Sequence, residues 1–172
     1  MRIESITPMP SALAQLVLPF LLVVAAIFDC FTLKIPNWLT ALIALSFFPV
    51  ALLMGLPATD YLWHVGIAIA VLAVGFALYA ASLFGGGDAK MIAASALWFG
   101  WPALLPFLVY TALAGGVLAI IMLLWSKLRI DQEIRGHTWV AKLDAVKLNV
   151  PYGIAIAAGG LLAFPQTWWM AS

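Results

Sequence analysis

Long runs of apolar residues, separated by charged or Pro/Gly-rich breaks, constrain the fold of this chain more than any other feature. The 172-residue sequence is 66% hydrophobic and only 9% charged, whereas a soluble domain carries about a quarter charged residues. A soluble fold of this size could not bury so much apolar surface, so we expect the chain to fold in lipid. Strand-like alternation is absent, and an open sheet edge is not tolerated in a bilayer. The sequence therefore predicts an all-α, polytopic membrane helical bundle of one domain.

The breaks divide the sequence into about six predicted membrane-spanning helices. The expected bounds are 11–29, 38–56, 62–84, 89–100, 103–126 and 151–169. The fourth helix is short, because about 12 residues span only about 18 Å of a hydrocarbon core of about 30 Å. Gly100, Trp101 and Pro102 predict a turn after it. We therefore expect Asp88, directly before this helix, to lie in a cavity below the headgroups that opens to the cytoplasm.

The distribution of basic residues predicts the orientation. One set of loops, which includes Lys34, Lys90 and the segment 127–150, holds all but one of the eight Lys and Arg residues. The other set, together with both termini, holds only Arg2. Lys and Arg concentrate in cytoplasmic loops, so we expect the first set to face the cytoplasm and both termini to lie outside. The segment 127–150 could form an amphipathic helix on the membrane surface.

Composition also limits the partners. A net charge of +1, with the basic residues spread among loops, argues against nucleic acid. The single cysteine, Cys30, excludes a disulfide within the chain and a cysteine-based zinc site. His64 and His137 lie far apart and share no metal-ligand spacing. We expect membrane lipid around the chain, with neither a metal nor a cofactor.

Two isolated aspartates, Asp29 and Asp88, end up on the same predicted side of the membrane. A carboxylate near a bilayer costs several kcal/mol, so its default interpretation is functional. Two adjacent carboxylates in a low-dielectric site share a proton. The ionised member can activate water, and the protonated member can donate to a carbonyl and later protonate a leaving amine. The residues alone leave open which aspartate plays which part.

Three glycines, Gly85, Gly86 and Gly87, directly precede Asp88. They remove three side chains in a row and let another part of the chain approach closely. They also place Asp88 at or near a helix N-terminus, where Asp is a favoured cap. A helix break with an Asp cap is thus the structural alternative, and the second isolated aspartate favours function over it.

Three motifs occur in order: FDCFTLKIPN around Asp29, FGGGDAK around Asp88, and VPYGIAIA from Val150. Together they resemble the motifs of type IV prepilin peptidases, which are membrane aspartic proteases with a Gly-x-Gly-Asp pattern. The resemblance extends over essentially the whole chain. It implies that Asp29 and Asp88 are the catalytic pair, and that they remove the leader peptide of prepilins at the cytoplasmic face of the bacterial inner membrane, just ahead of the hydrophobic helix of the pilin.

Longer members of that family add a cytoplasmic domain with paired CxxC motifs, which is linked to N-methylation of the new pilin terminus. This chain has no CxxC and no room for such a domain. It is therefore similar to the short, peptidase-only members associated with Flp/Tad-type pili. The resemblance implies one peptidase domain over 1–172, no methyltransferase activity, and the pilus assembly machinery as a further partner.

Residues within the motifs are candidates for supporting roles. We expect Pro36 in a turn or at the first position of the second helix, with Asn37 as a cap. Lys90 could tune the pKa of Asp88 or extend to the cytoplasmic interface. The Pro151, Tyr152 and Gly153 set could shape the active-site floor or simply begin an interfacial helix.

Other small and aromatic residues have structural interpretations. The pairs Gly115–Gly116 and Gly159–Gly160 are expected to let helices pack closely. Tryptophans near the outer ends of the predicted helices are typical of an aromatic belt at the membrane interface. These are Trp63, Trp98, Trp101, Trp168 and Trp169.

Three other functions remain open from the residues. A presenilin-like intramembrane protease shares the Gly-x-Gly-Asp motif. Such proteases form a longer helical bundle and carry a Pro-Ala-Leu motif, which this chain lacks. A small proton-coupled transporter could use the two carboxylates as a relay, although no repeat relates the two halves of the chain. A membrane scaffold for pilus assembly would tolerate the loss of either aspartate.

Overall fold

The computed structural model describes residues 8–127 and 150–171, and these residues are helical apart from short connections. The helices are α1 (Pro8–Thr32), α2 (Asn37–Leu53), α3 (Ala58–Ala80), α4 (Gly86–Lys127) and α5 (Tyr152–Ala163), followed by a 3₁₀ turn (Phe164–Gln166) and the short α6 (Trp168–Ala171). The described residues contain no strand, which confirms the predicted all-α class. The amphipathic helix predicted within 127–150 lies outside the described residues.

Three of the described helices are long and apolar enough to cross a membrane. They are Gln15–Thr32 within α1, all of α3, and Gly86–Trp125 within α4. Two further apolar segments, Asn37–Leu53 and Tyr152–Gln166, are shorter. The chain is therefore a helical membrane protein, and its shorter helices are about 25 Å or less in length.

The predicted fourth and fifth helices are the two arms of α4, which is broken at Gly100 (φ 61°, ψ −175°). The N-terminal arm covers 86–99 and the C-terminal arm covers 101–127. Gly115 in the second arm faces the ring of Tyr152, and Tyr152 lines the same cavity as Asp88 at the start of the first arm. The chain therefore reverses direction at Gly100, as the Gly-Trp-Pro turn predicted.

The break leaves backbone carbonyls that side chains from elsewhere satisfy. Residue 102 is a proline, so it has no N–H to offer the carbonyl of Trp98. Trp169 Nε1 donates to that oxygen at 2.7 Å. The ring of His64 donates from Nδ1 to the carbonyl of Leu97 at 2.6 Å. Because lipid cannot replace a lost backbone partner, these two bonds stabilise the break.

An aromatic cluster surrounds this break. Phe47 stacks on His64 with ring centroids 5.2 Å apart, and it packs edge-on against Trp98 and Trp169, each at 5.9 Å. Trp98 Nε1 donates to the carbonyl of Ile43 at 2.8 Å. The cluster joins α2, α3, the last turn of the N-terminal arm of α4 and α6 at the end of the bundle that lies away from Asp88.

The aromatic-belt prediction is wrong for two of the tryptophans. Trp98 and Trp169 are fully buried, whereas Trp63 and Trp101 are 70% and 75% exposed. The reason is that each buried indole finds a carbonyl acceptor inside the bundle, which removes the need for an interfacial position. Trp168 is intermediate, at 39% exposed.

The N-terminal arm of α4 forms the centre of the bundle. Nearly every residue from 91 to 100 is buried, and α4 packs against α2, α3 and α5, while α1 packs against α2 and α5. Glycines allow the closest contacts: Gly159 lies directly on the backbone of Thr111, and Gly160 lies against Leu22. The predicted close packing is thus found at three of the four paired glycines, whereas Gly116 faces open space.

We expect Gly100→Ala to lower the stability of the folded protein by about 2–3 kcal/mol. The left-handed φ alone costs an alanine about 1–2 kcal/mol, and a Cβ at this position would lie 2.7 Å from Cε1 of His64. Unfolding in detergent micelles measures the change. The matched control is Gly116→Ala, which has open space around it and should be neutral or stabilising by up to about 1 kcal/mol. Equal effects of the two substitutions would contradict the prediction.

Candidate active site

A cavity of about 800 Å³ lies at one end of the bundle. It is formed where the α1–α2 connection, the α3–α4 connection and the start of α5 come together. Asp29 from α1 and Asp88 from α4 both line it. The remaining lining residues are Leu33, Lys34, Ile35, Asn37, Ser82, Leu83, Phe84, Gly85, Gly87, Val150 and Tyr152.

Asp29, in the last turn of α1, is only 4% exposed. Its Oδ2 accepts a hydrogen bond of 2.7 Å from the backbone N–H of Gly153, and the amide of Ile154 also points to the carboxylate. These are the second and third residues of α5, whose amides a capping side chain normally satisfies. The residue in the N-cap position, Pro151, makes no side-chain cap hydrogen bond. Asp29 therefore caps α5 from another helix.

Gly153 is in direct contact with Asp29, which makes the absence of a side chain essential there. A Cβ at this position would lie 2.8 Å from Oδ2 and 2.9 Å from Cβ and Cγ of Asp29. Real Cβ atoms do not approach other atoms so closely, so any larger residue would displace the carboxylate or the start of α5. The sequence placed Gly153 near the site but did not indicate this contact.

Asp88 is the third residue of α4, after Gly86 and Gly87, and it is partly exposed. It is near the helix N-terminus, as predicted, but not in the N-cap position, which Gly85 occupies. The carboxylate folds back toward Gly85, since a Cβ built there would collide with Oδ2 of Asp88. A negative charge in this first turn is favoured by the unpaired amides and the helix dipole.

The three glycines before Asp88 have different environments. Gly85 leaves space for the aspartate, as described above. A Cβ at Gly86 would lie 3.3 Å from the ring of Tyr79, which is a tight contact. A Cβ at Gly87, which lines the cavity, would lie 3.9 Å from Cβ of Ile35, an ordinary van der Waals contact. A side chain would therefore be crowded at Gly85, by Asp88, and at Gly86, by Tyr79, but not at Gly87.

The two aspartates are separated by 59 positions (88 − 29), and the fold brings both of them to the lining of one cavity. Their surroundings differ. Asp29 is buried and bonded to backbone amides, whereas Asp88 is more open to the cavity. Two carboxylates at one water-accessible site are the groups needed for general acid and general base catalysis.

Asn37 and Lys90 interact with each other rather than with the aspartates. Lys90 Nζ donates to Asn37 Oδ1 at 3.1 Å. The prediction that Asn37 caps α2 is wrong, because Pro36 occupies the N-cap position and Asn37 is the first helical residue. Lys90 lies two residues after Asp88, and a helix directs two such side chains to different faces.

Tyr152 and Pro151 have separate positions. Tyr152 lines the cavity, and its ring packs edge-on against Phe84 with centroids 5.3 Å apart. Pro151 is the N-cap residue of α5 and does not line the cavity. Of the predicted supporting residues, the cavity-lining ones are Asn37, Gly85, Gly87 and Tyr152; those outside the lining are Pro36, Gly86, Lys90, Pro151 and Gly153.

Two lining residues, Leu33 and Ser82, have left-handed backbone angles, with φ of 53° and 59°. They follow the ends of α1 and α3, and Leu33 N–H donates to the carbonyl of Asp29 at 2.9 Å. The sequence carries no signal for these positions, because residues other than glycine and asparagine rarely adopt such angles. Strained backbone of this kind is concentrated at functional sites.

The described helices belong to a helical membrane protein, and two carboxylates line the cavity at one end of the bundle. Among the described residues, no three His, Cys, Asp or Glu side chains are grouped to hold a metal ion. The model of the type IV leader peptidase family matches residues 16–120, more than half of the chain and including both aspartates. The chain belongs to this family, and it is a peptidase that acts on prepilins. Neither a curated protein nor a solved structure gives a significant match.

We expect Gly153→Ala to lower the rate of prepilin cleavage by about a hundredfold. The added methyl group would displace Asp29, and a misplacement of about 1 Å at a reacting group can cost that much. Cleavage of a co-expressed prepilin, followed by gel shift, measures the effect. Gly66→Ala is the control, because a Cβ there meets nothing within 4 Å. Wild-type cleavage by the Gly153 variant would show that the contact with Asp29 is dispensable.

Proposed function

We propose that this leader peptidase is an aspartic endopeptidase in which Asp29 and Asp88 are the catalytic pair. The observation that carries the proposal is that two carboxylates from different helices line one cavity. Burying a carboxylate in a membrane protein costs free energy, so such a residue usually has a function. The family membership supplies the reaction, and these two residues supply the groups that such a reaction requires.

The reaction needs one proton shared by the pair. The ionised carboxylate takes a proton from a water molecule while the water oxygen attacks the scissile carbonyl carbon. The protonated carboxyl donates a hydrogen bond to the carbonyl oxygen and stabilises the negative charge that develops there. The peptide C–N bond then breaks as a carboxyl transfers a proton to the leaving nitrogen. One water molecule is consumed, and the products are a leader with a new carboxyl end and a pilin with a new amino end.

The cavity suits this chemistry in size and polarity. Its volume of about 800 Å³ has room for an extended peptide segment and water. Asp88 is accessible from it, and Asp29 is held at its edge by the amides of α5. Fixed hydrogen bonds on one carboxylate keep it in position without blocking the cavity, which favours a stable orientation of the pair.

We place the site at the cytoplasmic face of the inner membrane. Lys34 lines the cavity, and Lys90 lies close to it. Val150 also lines the cavity, and in the sequence it follows the segment that holds Arg129, Arg135, Lys142 and Lys147. Positive residues mark the cytoplasmic side of membrane proteins. We propose Flp-type prepilins as the substrate class within the family.

We expect Asp29→Asn and Asp88→Asn each to lower prepilin cleavage by about a hundredfold to ten-thousandfold, because general acid–base catalysis contributes about 10²–10⁴ in rate. Asn keeps the size of the side chain and removes the ionisable group. The measurement is processing of a co-expressed Flp-type prepilin, with N-terminal sequencing of the product.

The matched control is Asp60→Asn, in the first turn of α3 and therefore at the end opposite the cavity. It should cleave within about twofold of wild type. Each variant must also accumulate in the membrane to a similar level. Near wild-type cleavage by either Asp29→Asn or Asp88→Asn would refute the pair and favour a transport or scaffold role for that carboxylate.

We expect cleavage to depend on pH with a bell-shaped profile. The pair needs one proton, so the rate should fall when both carboxyls are protonated and also when both are ionised. The profile of kcat/KM for purified protein in micelles measures the two limits. A rate that keeps rising with pH over the whole stable range would contradict a shared proton.

A further inference from the structure

A second cavity, of about 430 Å³, forms an open groove between α2 and α3. Tyr61 Oη donates to the carbonyl of Phe48 at 3.3 Å and joins the two helices near their connection. Away from that connection α2 and α3 barely contact each other. The N-terminal arm of α4 forms the base of the groove, which faces the surrounding lipid.

Small residues occur on all three walls of the groove, beside the larger Phe48, Val65, Ile69, Leu72 and Leu97. Its alanines are Ala41 and Ala44 on α2, Ala68 on α3, and Ala93 and Ala94 on α4. In a membrane, small residues mark surfaces where another helix packs, because they let two backbones approach closely. The composition of the groove therefore favours a helix as its occupant.

The groove adjoins the aspartate cavity. Asn37 lines both of them, and Lys90, which lines the groove, donates to the Asn37 side chain. An apolar segment cannot remain in the polar cavity without cost, because its surface would stay in water. A substrate chain that is cleaved at the aspartates and continues as an apolar helix therefore has a direct path into the groove.

We propose that this groove docks an apolar membrane-spanning helix of the substrate, with the connecting chain passing Asn37 to reach the two aspartates. The inference rests on the proposed function, since it takes the aspartate cavity as the cleavage site. The groove is then the part of the enzyme that recognises the membrane-embedded portion of the prepilin.

Cysteine cross-linking tests the location of the substrate helix. In a Cys30→Ser background, Ala68→Cys lines the groove, whereas Ala70→Cys is exposed on α3 outside it. Positions two residues apart on a helix differ by about 200° around its axis, so the two cysteine variants compare two faces of α3. Cysteines placed along the apolar segment of a prepilin should cross-link to position 68 at least tenfold more than to position 70. The reactive positions should repeat every three or four residues.

A steric substitution provides an independent readout. Ala68→Leu narrows the groove, and so does Ala41→Leu, at a more exposed position where the folded core is less affected. We expect each to raise KM for full-length prepilin about tenfold, with a much smaller change in kcat. Ala70→Leu should leave both constants within about twofold of wild type.

The outcomes separate this inference from the proposed function. Equal cross-linking at positions 68 and 70, or an unchanged KM for both groove variants, would overturn the proposal that the groove docks the substrate helix and would indicate a lipid occupant. Asp29→Asn and Asp88→Asn give the answer for the catalytic pair independently, because cross-linking does not require cleavage. A groove that cross-links substrate in a protein whose aspartates are dispensable would leave docking intact and remove the catalytic proposal.

Discussion

A helix that breaks inside a bilayer leaves carbonyl groups that water cannot reach, and this fold depends on how they are satisfied. At Gly100 the partners are the rings of His64, from α3, and Trp169, from near the end of the chain. Both hydrogen bonds attach distant segments to the same point of α4. The first arm of α4 is thereby held at the centre of the bundle, and Asp88 lies at its other end, about 18 Å of helix away.

The second essential interaction joins the first helix to the last long one. Asp29 accepts the amide hydrogen of Gly153, and it does so at a helix start where Pro151 offers no cap. One carboxylate thus satisfies the backbone of α5 and contributes to the cavity. The three residues Pro151, Tyr152 and Gly153 make this geometry possible. Proline fixes φ at the residue before the helix, and glycine allows the close contact with Asp29.

The sequence was sufficient for the helical class, for the reversal at Gly100 and for the two candidate aspartates, because each has a local signal in composition or spacing. It was insufficient wherever the partner is distant along the chain. The burial of Trp98 and the pairing of Asn37 with Lys90 depend on neighbours that only the folded bundle supplies. The left-handed angle of Leu33 likewise has no sequence signature.

The segment that matches the leader peptidase family ends at residue 120, while the amides that hold Asp29 begin at residue 153. A protein ending at the boundary of the matched segment would keep both carboxyl groups and lose the support of one of them. The smallest unit able to present the pair in this geometry therefore extends at least through the first turn of α5. The part of the chain with the clearest family signature and the part that assembles the site are not the same.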